Sequence, residues 1–253
     1  MDQALSRKIE RTAEIIRDAK NLLFITGAGI SADSGLPTYR GIGGLYNDKK
    51  TDEGYPIEDA LSGSMLRHRP EITWKYIAQI EKACRNAQYN RAHKIIADLE
   101  ENKRVCVLTQ NIDGFHGDAG SKNLIEIHGN IRKVFCESCL YSKLPANYDS
   151  FEIPPLCPEC GGILRPEVVL FGEMLPEDAV YKLDRELSQG FDAVISIGTT
   201  SVFPYISGPV IIASRQGIPT IEINPTSTEV SNTVEIKLAM GAKEALEMIA
   251  SHS

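Results

Sequence analysis

The chain is short of several things, and each shortage removes a class of answer. No apolar run approaches the roughly 18 residues of a membrane-spanning helix, so no membrane role is expected. Positive charge is in deficit: 27 lysines and arginines stand against 34 aspartates and glutamates, and the net charge of −7 argues against a broad nucleic-acid footprint. Cysteine is sparse for a disulfide scaffold. Of the six cysteines in 253 residues, four form two C-x-x-C pairs, while Cys84 and Cys106 lie alone within an apparent helix and strand, which suits a reducing compartment. Internal repeats and low-complexity tracts are missing. Met1 to Lys20 is a charged amphipathic segment without the apolar centre of a signal peptide, so a cytoplasmic location is expected. What remains is an ordinary globular composition, 42% hydrophobic and 24% charged, long enough to bury a substantial core.

Apolar periodicity organises that core. Ile9, Ala13, Ile15, Ile16 and Ala19 recur at helical spacing and predict a helix over 4–19 that feeds a strand at 22–26. A helical stretch at 91–101 leads into the continuous apolar run Val105 to Thr109, the pattern of a strand buried in a parallel sheet. Further strands are expected at 124–127, 192–197 and 219–223, with helices at 176–189 and 206–216. The alternation predicts an α/β fold, a doubly wound, Rossmann-like parallel sheet. It lapses at 45–90, which is mostly helical, and at 131–165, which holds the cysteine pairs. Residues 1–44, 91–130 and 166–253 therefore read as the sheet domain, and the two lapses as insertions that together build a second, smaller zinc-binding domain.

Ligands of such sheets collect where strands give way to loops. Leu22 to Thr26 runs directly into Gly27-Ala28-Gly29-Ile30-Ser31-Ala32, whose glycines permit a tight turn and close approach of phosphate oxygens to backbone amides. The Gly27, Gly29, Ala32 spacing fits a relaxed dinucleotide fingerprint, so a nucleotide ligand is expected. Yet Gly35, Pro37, Gly41, Gly43 and Gly44 stop any helix after about one turn, leaving Arg40 in a long loop.

Cys136-x-x-Cys139 and Cys157-x-x-Cys160 are separated by 17 residues, the spacing of a four-thiolate zinc site; two disulfides or a redox dithiol are the alternatives. Four thiolates would close the coordination sphere, so the zinc would be structural. Two further polar clusters follow strands. Gln110-Asn111-Ile112-Asp113 places an amide and an acid at alternate positions, and His128 precedes Gly129, which lets a ligand approach the imidazole. Ordinary loop polarity and a structural histidine are the competing readings, although their shared position at strand ends favours catalysis.

Taken in order, Gly27 to Arg40, Gln110 to Asp113, His128-Gly129-Asn130, the cysteine quartet, Val168 to Glu173, Gly198 to Ser201 and Ile223-Asn224-Pro225 resemble the sirtuin family of NAD-dependent protein deacylases, in its short, prokaryote-like form. The resemblance runs from about residue 20 to 245. It implies that Gly27, Ala28, Gly29, Ser31, Ala32, Tyr39 and Arg40 hold the NAD pyrophosphate and wall the nicotinamide pocket. Gln110, Asn111, Ile112 and Asp113 would surround the nicotinamide ribose and carboxamide, with Asn111 and Asp113 counted as catalytic. His128 would be the general base. Gly198, Thr199, Thr200 and Ser201 would meet phosphates, Asn224, Pro225 and Thr226 the adenosine ribose, and Ala242 the adenine side. Val168, Val169, Leu170, Phe171 and Gly172 would pair with an extended acyl-lysine peptide by strand addition.

In the family's mechanism nicotinamide leaves, an alkylimidate forms, and the base activates a ribose hydroxyl, yielding free lysine and 2′-O-acyl-ADP-ribose. NAD is then a co-substrate, and no direct nucleic-acid partner is expected. An NAD glycohydrolase or mono-ADP-ribosyltransferase on the same scaffold is the alternative. Three departures stand out. Asp33 replaces a usual glutamate, Tyr39 a usual phenylalanine, and Ile77 and Ile80 occupy the positions where relatives that remove acidic acyl groups carry tyrosine and arginine. Without a cation for a succinyl carboxylate, neutral acyl groups are favoured.

Overall fold

The computed structural model describes residues 3–37 and 50–252. Helix α1 (Gln3–Asp18) buries Ile9, Ala13, Ile15 and Ile16 along one side and delivers the chain to β1 (Asn21–Thr26), in which all but the first residue are buried. Two separate 3-10 turns, Ala28–Ile30 and Ala32–Ser34, then replace the helix that an ordinary dinucleotide unit would carry. The segment after the second glycine-rich stretch holds α2 (Ile57–Ala60), α3 (Gly63–His68) and α4 (Pro70–Arg85). Next come α5 (Arg91–Asp98), β2 (Arg104–Thr109), α6 (Phe115–Ala119), β3 (Leu124–Glu126), β4 (Gly129–Cys136), β5 (Ser142–Lys143) and β6 (Leu164–Val168). The chain ends with α7 (Glu177–Ser188), β7 (Ala193–Ile197), α8 (Pro204–Arg215), β8 (Thr220–Ile223), β9 (Ile236–Leu238) and α9 (Ala242–Ala250).

Six strands form one parallel sheet in the order β3-β2-β1-β7-β8-β9. The chain builds outward from β1 in one direction and then, from β7, in the other. The crevice beyond the carboxyl ends of β1 and β7 is thus the switch point where sheets of this kind take ligands. Ile9, Ile96 and Leu246 cover one face from α1, α5 and α9, and Leu183, Ile206 and Val210 cover the other from α7 and α8. The doubly wound sheet expected from the sequence is present. It is extended by β9 and α9, and the helix expected over 91–101 ends as a 3-10 turn at Leu99–Glu101.

A second, antiparallel sheet has the order β5-β4-β6. Its core is shared with the helical excursion. Trp74 of α4 is fully buried, donates from its indole nitrogen to the Leu164 carbonyl at 2.9 Å, and meets Tyr148 and Phe151 edge-on at 5.5 and 6.0 Å.

Candidate functional site

The switch point is formed by two turns pressed backbone to backbone. The Gly29 amide donates to the Gly198 carbonyl at 2.8 Å, and the Gly27 amide donates to that of Ile197 at 3.1 Å. A Cβ on Gly29 would lie 2.5 Å from Gly198 Cα, and one on Gly27 would lie 2.8 Å from the Gly198 oxygen. Sequence reasoning took both glycines as room for phosphate; the structure adds that the chain's own second loop fills the space beside them. Asp33, the shortened acid, accepts from the Lys243 amide at 3.2 Å, tying the second 3-10 turn to the start of α9 beside buried Ala242.

Around this seam the expected polar residues converge. Asn111 is buried and donates from its amide nitrogen to the Gly27 carbonyl and to Ser31 Oγ, both at 3.2 Å. Ser31 Oγ donates to Asp113 Oδ2 at 2.7 Å, while the Phe115 amide donates to Asp113 Oδ1 at 2.9 Å. Burial pushes the Asp113 carboxyl above its ordinary range, and these two donors work in the opposite direction. Behind this set stand two histidines that sequence reasoning missed. His93 lies 3.5 Å from Ser31 Oγ, and the His116 ring sits 4.8 Å from it, reaching Thr26 Oγ1 at 3.0 Å. Burial holds His93 down at about 4 and His116 well below the ordinary imidazole value, so both are neutral supports. Nothing in the helical run at 91–101 distinguishes His93 from an ordinary core residue.

Ala28, Ser31, Asn111, Ile112 and Asp113 line a cavity of about 360 Å³ together with Lys50, Tyr76, Ile80 and Cys84. Ile80 therefore faces the cavity, whereas Ile77 belongs to the core around Trp74. Ala32 is exposed, and Tyr39 and Arg40 lie outside the described residues.

The second loop is drawn in by Gln110, whose amide nitrogen donates to Thr199 Oγ1 at 2.7 Å, and by Asn224, which donates to the Thr199 carbonyl at 3.1 Å. Ser201 adopts a positive φ of 58°, and its hydroxyl oxygen is buried without a hydrogen-bond partner among the described residues. An orphaned hydroxyl at a strand-end turn suits an anionic ligand. Thr226 donates to Asn224 Oδ1 from both its amide and its hydroxyl at 3.1 Å, whereas the side chains of Thr200, Pro225 and Thr226 face solvent.

His128 follows β3 and is held at three points. Its carbonyl accepts from the Val169 amide at 2.9 Å, its Nδ1 lies 3.0 Å from the Gln110 carbonyl oxygen, and its Nε2 lies 2.7 Å from the Tyr205 hydroxyl. Burial lowers its pKa below the ordinary value, against the pull of the Gln110 carbonyl. Through Val169 the imidazole is joined to the 168–172 segment. That segment is less open than the sequence suggests: the Phe171 amide donates to the Leu61 carbonyl, its own carbonyl accepts from Gly63, and the Leu170 amide donates to Glu173.

The cysteine quartet converges as its spacing predicts. All four sulfurs lie within 4.8 Å of one another, with 3.5 Å between Cys136 and Cys160 and 3.6 Å between Cys139 and Cys157. Zinc–sulfur bonds of about 2.3 Å in a tetrahedron separate the sulfurs by about 3.8 Å, so the cluster fits one zinc ion and excludes disulfides. All four thiols are free.

Comparison with known proteins agrees with this geometry. The Sir2 family model matches residues 27–204. The chain is 51% identical over 248 residues to NAD-dependent protein deacylase 2 of Pseudomonas aeruginosa, covering 96% of each chain. It is similar to a solved Sir2–p53 peptide–NAD+ complex (TM-score 0.82, 27% identity, 96% of this chain and 97% of that one). It also resembles a Sir2 homologue variant in complex with 2′-O-acetyl ADP-ribose (TM-score 0.83, 37% identity, 100% of this chain and 96% of that one).

Proposed function

The chain belongs to the Sir2 family, and from that premise we propose that it is an NAD-dependent protein-lysine deacylase, passing the acyl group of a lysine to ADP-ribose and releasing nicotinamide. The observation that carries the reading is His128, a neutral imidazole with one nitrogen tied to Gln110 and its backbone joined to the 168–172 edge. A glycohydrolase needs no such junction between a base and a strand edge. The ligands of the similar structures, a peptide with NAD in one and 2′-O-acetyl ADP-ribose in the other, support the same reaction.

NAD, when bound, supplies its own leaving group and the carbon that receives the acyl oxygen. The chain's residues then have three tasks. Ser31, Asn111 and Asp113 form a hydrogen-bonded wall for the nicotinamide end, held from behind by His93 and His116. Thr199, drawn in by Gln110 and Asn224, holds the phosphates with Ser201, Asn224 holds the adenosine ribose, and Gly198 keeps the two loops together. His128 withdraws a proton from a ribose hydroxyl, and a low pKa keeps it unprotonated and ready at neutral pH. Four cysteines hold a structural zinc, which supplies no chemistry to the reaction because its coordination is closed.

An acyl-lysine peptide is the substrate we infer, paired along 168–172 through the backbone groups not already bonded within the chain. Neutral acyl groups are the preference we infer, because Ile80 stands on the cavity wall where relatives that remove acidic acyl groups carry a cation, and Lys50, the lysine on the same lining, is exposed to solvent. The two sheets support division into a larger and a smaller domain, although the bounds expected at 130/131 and 165/166 fall within β4 and β6, which both belong to the antiparallel sheet. Free thiols at Cys84 and Cys106 support a reducing, cytoplasmic setting.

The test is mass spectrometry of products from NAD with acetyl-lysine and succinyl-lysine forms of one peptide. We expect nicotinamide, free lysine and O-acetyl-ADP-ribose in equal amounts, with slower succinyl removal. Free ADP-ribose without peptide turnover would make it a glycohydrolase, and faster succinyl removal would overturn the acyl preference. His128→Ala should lose about 10²-fold or more of deacylation while keeping NAD affinity.

A further inference from the structure

The base's reactive nitrogen is already engaged. The Gln110 carbonyl can only accept, so Nδ1 of the neutral His128 ring carries the hydrogen and Nε2 carries the lone pair. The group 2.7 Å from that lone pair is the Tyr205 hydroxyl, which therefore donates to it. Burial raises the phenol to about 12, so it keeps its proton at neutral pH. A substrate hydroxyl must either displace Tyr205 or act through it.

The surroundings favour the second course. Tyr205 is the second residue of α8, and Pro204 before it presets the backbone for a helix. Ile206 and Val210 are fully buried and pin the helix to the sheet. The Tyr205 ring stacks on Phe203 at 5.4 Å and 12°, and both rings meet His128 edge-on, at 5.9 and 6.1 Å. Swinging the phenol aside would break this stack, whereas rotating its O–H bond costs little. Nε2 is the hydroxyl's single partner among the described residues and Tyr205 is only partly buried, so its oxygen keeps lone pairs for an arriving donor.

We infer that Tyr205 is a catalytic residue of the deacylation step, a proton relay between the ribose hydroxyl of NAD and His128. The ribose O–H bond breaks and its proton forms a new O–H bond on the phenol oxygen. At the same time the original phenol proton passes to Nε2. Tyr205 ends neutral, His128 becomes imidazolium, and the electron pair left on the ribose oxygen attacks the acyl carbon. This rests on the proposed role of His128 as base.

The variant that tests it is Tyr205→Phe, which keeps both ring contacts and removes one oxygen. In the ligand-free protein, ¹⁵N NMR of His128 should show the Nε2 resonance moving toward that of an unbonded imidazole nitrogen, with thermal stability little changed. With NAD and an acetyl-lysine peptide, kcat for deacylation should fall about 10–100-fold, the KM values and NAD affinity should hold within about threefold, and exchange of labelled nicotinamide into NAD should persist. Added to His128→Ala, the same change should cost nothing more, because a relay acts only through its base. Unchanged kcat, an equal fall in nicotinamide exchange, or additive losses would each overturn the relay. A variant that fails to fold would do the same, since the oxygen would then be structural. Full activity in His128→Ala would instead overturn the assignment of the base itself.

Discussion

Gly198 and Gly208 are ten residues apart, yet they sit under opposite constraints. Gly198 has φ of 61°, and a Cβ there would lie 2.5 Å from the Ile30 amide nitrogen and 2.6 Å from Gly29 Cα, both backbone atoms that cannot step aside. Gly198→Ala combines left-handed strain with overpacking, so a stability loss of about 2–4 kcal/mol is expected, together with weaker NAD binding as the two turns separate. Gly208 lies within α8 just before Pro209, and beyond its two chain neighbours nothing would meet its Cβ within 4 Å. There, Gly208→Ala should change stability by less than about 1 kcal/mol, because the gain in helix propensity is offset by the crowding of a new Cβ against the Pro209 ring. Urea titration with calorimetric NAD binding reads both. Equal effects at the two sites would mean that the seam between the turns is not what holds the cofactor loops.

At the scale of elements, β4 and β6 connect the metal cluster to the chemistry. β4 begins directly after His128 and ends at Cys136, while β6 begins four residues after Cys160 and ends at Val168, where the peptide edge starts. Zinc therefore clamps the far ends of two strands whose near ends carry the base and the edge. Chelation, or Cys157→Ser, should raise the peptide KM and lower deacylation by more than about tenfold, open 131–165 to proteases, and leave NAD affinity nearly unchanged. Full turnover in a zinc-free protein would refute the coupling. The same scale explains what could be read without coordinates. Strands ending in glycine-rich or amide-acid turns announced themselves through continuous apolar runs, and the two cysteine pairs through spacing. β9 contributes only Ile236, Lys237 and Leu238, too few for periodicity, and Tyr205 lies just before the helix expected at 206–216, with nothing in the sequence to mark it. Its importance comes from meeting His128 across 77 positions of sequence, a contact that only the packing of α8 against the sheet creates.

For the molecule as a whole, two kinds of buried group set opposing pH dependences. Burial holds His93 at about 4, below its ordinary 6.5, so between pH 6.5 and 4 the unfolded chain binds a proton that the folded chain refuses, and stability falls on acidification. His116, lowered for the same reason, acts in the same direction. Glu126 is the counterweight. Burial raises its carboxyl to about 7, despite the Asn130 amide donating to it at 2.8 Å, so between pH 4.5 and 7 the folded chain keeps a proton that the unfolded chain has released, and stability falls as pH rises. The slopes oppose one another between 4.5 and 6.5, and with two histidines against one carboxylate stability still falls on acidification there, less steeply than the histidines alone would make it. Glu126→Gln keeps an acceptor for Asn130 and removes one slope. The variant should therefore be more stable than the parent by about 1–2 kcal/mol at pH 7, with that advantage vanishing by pH 4.5 as its own stability declines more steeply on acidification. Urea unfolding of both proteins at pH 7, 5.5 and 4.5, in the same zinc concentration, gives the comparison. An advantage that stays constant across the three values would mean that Glu126 is ionised in the folded protein and that the buried histidines titrate without a counterweight.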